Sequence, residues 1–145
     1  MSEEEMKSAV RGLNEAIQRK ELENVLSFYA EDATLETPEA TFKGRKEIRR
    51  YWVWQIQSAS DITGTEATMM VQGNQLAAMH VYDVTRIDGT RWRAPITCLY
   101  EFTGARFQRH RMSYDRLSIA KQAAKGWLAK RLVNSIVGQM EKGLH

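Results

Sequence analysis

Asp115 is the residue whose type and position most invite chemistry. It ends Phe107-Gln-Arg-His-Arg-Met-Ser-Tyr-Asp115, a stretch that alternates like a strand. Strands send alternate side chains to opposite faces. An acid at the end of a half-buried strand is expected to project into the space that the sheet encloses. A carboxylate in an apolar cavity loses hydration, so its pKa rises toward the range of a general acid or base. Two roles are open for Asp115: proton transfer in a cavity, or an ion pair with Arg91 or Arg93 on a neighbouring strand. Arg111 shares its parity, but four residues of strand span ~13 Å, too far for a contact along one strand. Arg111 is therefore carried as a ligand-binding candidate.

His80 stands mid-strand in Met79-His-Val-Tyr-Asp83. Facing a cavity, it is the natural second acid or base beside Asp115; otherwise it is a hydrogen-bonded core residue. Tyr82 has the same parity and can donate to a developing oxyanion. His110 has the opposite parity to Asp115 and is expected outside the cavity. Tyr29 and Trp52 are the expected cavity walls, suited to a planar or polycyclic ligand. Glu36, ahead of Pro38, is either a mouth carboxylate or a solvated one. The histidines at 80, 110 and 145 lack metal-ligand spacing, so no metal is expected. Cys98 has no basic neighbour in sequence to activate it and is expected to be a buried thiol.

These residues need elements to hold them. Met6, Val10, Leu13 and Ile17 recur at helical spacing and predict a helix over about 3–19. A short helix follows over 21–29, then a strand at 33–37 stopped by Pro38 and a loop over 39–43. Gly44 precedes a third helix, 45–57, with Ile48, Trp52 and Ile56 on one stripe. From 61 onward the period shortens to two. Strands are predicted at 63–71, 76–87, 92–102 and 107–118. Their short Gly-containing separators force an antiparallel meander. A last helix, 119–142, carries Trp127, Leu128, Leu132, Ile136 and Met140, with Trp127 and Leu128 expected to dock it. Helices first and then a meander make an α+β domain.

At 145 residues the chain fits one domain, 1–145. Residues 1–40 hold ten acids against four bases, so the basic charge lies in the remainder. Those bases are scattered over strands and a helix, which argues against nucleic acid. No apolar run approaches the ~20 residues of a membrane span. The acidic start, Met-Ser-Glu-Glu-Glu-Met-Lys, does not read as a secretory signal. A cytoplasmic location is the default expectation.

Three motifs carry a resemblance: Phe28-Tyr-Ala-Glu-Asp-Ala-Thr-Leu-Glu-Thr-Pro38, Gly44 with Ile48, and Tyr114-Asp115 followed by Leu117. With them the chain resembles the SnoaL-like family of the nuclear transport factor 2-like superfamily, which includes polyketide cyclases and is related to ketosteroid isomerases. The resemblance implies a cone-shaped curved antiparallel sheet wrapped around N-terminal helices, cystatin-like in outline, with 119–142 as an added helix. It implies that an acid matched by Asp115 moves protons in the cavity. The chain departs from the family in having Gly104-Ala-Arg-Phe107 where many members have Gly-Lys-Ile.

The expected function is cofactor-free acid/base catalysis, of isomerase or cyclase type, on a small hydrophobic molecule. A non-catalytic ligand-binding domain and a protein-interaction module are the alternatives. Apolar residues of both parities, such as Met79, Val81, Ile96, Leu99 and Phe102, predict a homodimer through the sheet.

Overall fold

A computed structural model describes residues 1–142; His145 lies outside the described residues. The helical stripe of the N-terminus becomes α1, Glu3–Gln18, started by a capping box in which Ser2 and Glu5 satisfy each other's backbone amides. Its apolar stripe, Met6, Val10, Leu13 and Ile17, is buried. The short α2 spans Leu22–Ser27 and leads into β1, Tyr29–Glu36. The predicted loop after Pro38 contains a small strand, β2, Thr41–Lys43, paired antiparallel with β1. Then α3, Arg45–Gln57, buries Ile48, Trp52 and Ile56 as its spacing predicts.

The sheet strands are β3 (Ala59–Gly64), β4 (Thr68–Gln72), β5 (Gln75–Arg86), β6 (Arg91–Thr103) and β7 (Arg106–Ser113). They run in the order β2-β1-β7-β6-β5-β3, with β4 also on β5. The meander β5-β6-β7 is antiparallel, as the hairpins require. Two features differ from the expectation. The single strand expected at 63–71 is two pieces, both paired with β5, broken around Thr65–Ala67. The sheet is mixed, because β1 lies parallel to β7.

The end of the chain differs more. The helix expected over 119–142 is two helices, α4 (Arg116–Ala123) and α5 (Gly126–Glu141). Ala124 and Lys125 are extended between them, and Gly126 sits at φ 74°, a left-handed angle that glycine tolerates. Lys125 Nζ ties the break to the β5–β6 turn, donating to Asp88 O at 2.9 Å. The expected docking of Trp127 and Leu128 is not seen: they are 72% and 67% exposed, and α5 buries no residue. The helix breaks at Gly126, and the apolar residues of its second part stay exposed among the described residues. No helix among the described residues is long and apolar enough to cross a membrane.

One buried cluster runs from α1 through α3 to the inner face of the sheet. Its largest fully buried members are Tyr29, Tyr100 and Phe107. Cys98 is buried beside Tyr100, as expected, and burial pushes its thiol up to about 12.

Candidate functional site

The inner face of β5 is set by alternation: Leu76, Ala78, His80 and Tyr82 point inward. On β6 the inward set is Ala94, Ile96, Cys98, Tyr100 and Phe102. Near the β5–β6 turn this face is not filled by the helices. A cavity of about 200 Å³ remains there. Tyr82, Val84, Ile96 and Trp92 of β5 and β6 form its floor, with Ile62 of β3. Tyr51, Trp52 and Gln55 of α3 form the opposite wall, with Trp54 at the rim. Tyr114 and Ile119 close the side where β7 gives way to α4.

Two charged residues reach this largely aromatic space, Glu39 and Arg86. Glu39 is held by a turn rather than by a strand. Thr37 Oγ1 accepts from the amides of Glu39 and Ala40 at 3.3 and 3.2 Å, just past β1. The Glu39 carboxylate accepts from the Tyr114 hydroxyl and lies 3.6 Å from Arg116. Burial, reinforced by that carboxylate, holds the Tyr114 phenol above its ordinary pKa. Arg86 lies with its guanidinium 5.0 Å from the ring centroid of Trp54.

Behind the floor is a polar cluster. Tyr82 donates its hydroxyl to Asn14 Oδ1 at 3.0 Å, and Asn14 Nδ2 lies 3.2 Å from His80 Nδ1. His80 is 4% exposed, and burial lowers its pKa, which favours the neutral ring. A second cluster sits deeper. The Tyr29 hydroxyl accepts from Trp52 Nε1 at 3.2 Å and meets His110 Nδ1 at 2.7 Å. His110 stacks on Tyr100 at 4.3 Å, and burial pulls its pKa down to about 3. Its Nε2 is buried without a partner among the described residues.

The sequence candidates distribute unevenly over this geometry. Tyr82 and Trp52 line the cavity. His80 is one layer behind it, reaching Tyr82 through Asn14. Tyr29 belongs to the deeper cluster and does not line the cavity. Asp115 and Arg111 do not face the cavity at all. Asp115 is exposed at the N-cap of α4, where Oδ1 accepts from the amides of Leu117 and Ser118, each at 3.0 Å. Such a cap satisfies helix amides that otherwise lack partners. Arg111 lies on the outer face and pairs with Glu36 at 2.7 Å. Glu36 is thus clamped between Arg109 and Arg111 and is not a mouth carboxylate. Arg91 pairs with Asp83 at 2.7 Å, and Arg93 lies 3.9 Å from the same carboxylate, so neither takes the Asp115 pairing held open for it.

The reason for the reversal is a β-bulge. Glu101 pairs with Arg109 and Phe102 with Phe107, so Gln108 is an extra residue on β7. An extra residue shifts the alternation by one, so parity counted along the chain is reversed for everything after it. Phe107 is inward, and then His110 and Met112 are inward. The parity that places His110 outside is valid for an unbulged strand only. The sequence reading missed Asn14, Glu39, Tyr51, Arg86 and Tyr114. Tyr114 was within reach of it, being the neighbour of opposite parity to Asp115.

The fold is shared with known proteins. The SnoaL-like domain matches residues 10–110. The chain belongs to the SnoaL-like family. Among curated proteins none matches it. A ketosteroid isomerase-like fold protein from Catenulispora acidiphila, crystallised with trimethylamine, superposes with a TM-score of 0.74 at 17% identity, covering 81% of this chain and 93% of its own. An NTF2-like protein from Burkholderia pseudomallei superposes at 0.74 and 18% identity, covering 86% and 100%. TerC, co-crystallised with polyporic acid, superposes at 0.71 and 14% identity, covering 81% and 97%. At these identities the likeness establishes the fold of this SnoaL-like chain.

Proposed function

We propose that this SnoaL-like protein binds a small, flat, largely apolar molecule in the cavity beneath α3 and acts on it by cofactor-free acid/base chemistry of isomerase or cyclase type. The observation that carries the reading is the meeting of an aromatic-walled cavity with a carboxylate–phenol pair, Glu39 and Tyr114. Aromatic walls select flat apolar ligands, and a few placed polar groups orient them. Glu39 would take and return the proton. Tyr114 would hold it in place, and Tyr82 would offer its oxygen to the ligand from the floor. Two structural neighbours were crystallised with small molecules, which fits a ligand in this fold.

Binding without turnover is the second reading. It is favoured by one fact: the Glu39 carboxylate is already engaged by Tyr114 and Arg116. The two readings separate with 2-tetralone, a bicyclic ketone with exchangeable α-protons, followed by NMR in D₂O. Catalysis predicts exchange above the buffer rate, falling by ~10²–10⁴ in Glu39→Gln, the usual share of general acid–base catalysis. Saturable binding with exchange at the buffer rate would leave a binding protein.

A further inference from the structure

Arg86 is unlike the other arginines near the cavity. Arg116 pairs with Glu39, and Arg91 and Arg93 lie near Asp83. Among the described residues no carboxylate lies within 4.0 Å of the Arg86 guanidinium, and no hydrogen bond uses its side chain. It is also partly buried, so the charge is only partly hydrated. Its position over Trp54 fixes the guanidinium without using its donors, because the five N–H groups point outward in the plane. A fixed, unpaired fork of donors on the wall of an apolar cavity matches a planar anion such as a carboxylate.

We infer that the ligand of this cavity is a flat organic acid, whose anionic oxygens pair with Arg86 while its rings lie among Trp92, Tyr82 and Tyr51. The inference rests on the cavity being the ligand site, as proposed above. A cationic ligand is disfavoured by the same geometry. The aromatic walls suit a cation, but Arg86 repels one, and the only carboxylate lining the cavity among the described residues, Glu39, is already paired.

The test is calorimetric titration of the full chain with three probes of one shape: 2-naphthoate, 2-naphthamide and 2-naphthylmethylammonium. The acid is expected to bind about tenfold tighter than the amide, the lower end of what a charged hydrogen bond supplies. Arg86→Gln is expected to erase that preference while leaving amide binding in place. Arg86→Lys keeps the charge but loses the fork, and is expected to retain part of it. Raised salt should weaken the acid and not the amide. Equal binding of acid and amide to the wild-type chain overturns the inference and leaves the cavity reading intact. A preference that survives in Arg86→Gln, or tightest binding of the ammonium probe, also overturns it. Binding of none of the three removes the cavity reading itself, and the inference with it.

Discussion

Two histidines lie on the inner face of the sheet, and their surroundings differ. His110 is sealed between Tyr100, Tyr29 and Phe107, with one nitrogen bonded and the other orphaned. His80 stands behind a cavity wall, linked through Asn14 to a tyrosine that faces open space. Both sit mid-strand on the inner face. What separates them is closure. The N-terminal helices and β1 cover the His110 end completely, whereas α3 and α4 leave a gap at the other end. A buried titratable residue in the sealed cluster can affect stability alone. One beside the gap can also affect a ligand.

The largest effect should come from emptying the sealed end. Phe107→Ala is expected to cost ~3–5 kcal/mol, the range for deleting a buried ring. Trp92→Ala, at the open end, should cost ~1–2 kcal/mol because the ring is only partly buried. It should weaken ligand binding more than it weakens folding. Urea denaturation of both variants measures the pair, and equal costs would erase the distinction between the two ends.

The next effect is acid sensitivity. Burial holds the folded pKa of His110 at about 3, below its ordinary 6.5. Above about pH 6.5 the ring is neutral in both states and the full stability is present. As pH falls from there toward about 3, only the unfolded chain takes up the proton. Stability should therefore drop by about 1.4 kcal/mol per pH unit in that window and level off below it. His80 acts in the same direction. His110→Gln should flatten most of the acid slope, and a slope unchanged in this variant would show that His110 is not the group responsible.

Smaller again is the loss of one hydrogen bond at the open end. Tyr82→Phe removes the bond to Asn14 and should cost ~0.5–1.5 kcal/mol. Ligand affinity should fall with it if the phenol oxygen meets the ligand. The smallest effect is expected off both clusters. Asp115→Asn keeps a good N-cap, so stability should change by only a few tenths of a kcal/mol and proton exchange on 2-tetralone should not change. A large loss of exchange in that variant would return Asp115 to the chemistry.

Much of this fold was legible in the sequence. The stripe Ile48, Trp52, Ile56 and the alternation of β5 and β6 placed helices and meander correctly, because burial on one face writes a period into the chain. Three things were hidden. The parallel pairing of β1 with β7 is a long-range choice with no local period. The break at Gly126 was overlooked because the apolar stripe continues across it. The site was misread because an unbroken alternation was assumed through Gln108, and because Glu39 lies in a turn, where no period marks the inward side; Arg86 continues the inward parity of His80 and Tyr82 on β5.

The bulge at Gln108 also bears on how such proteins diverge. Losing the extra residue there would leave Arg109 and every later residue opposite the same partners on β6, because the bulge absorbs it; only the parity counted along the chain would change. Matching residues past this point by counting along the chain, from a relative that lacks the bulge, would pair inward positions with outward ones. Insertion state at Gln108 must be established before any residue role is carried between such proteins.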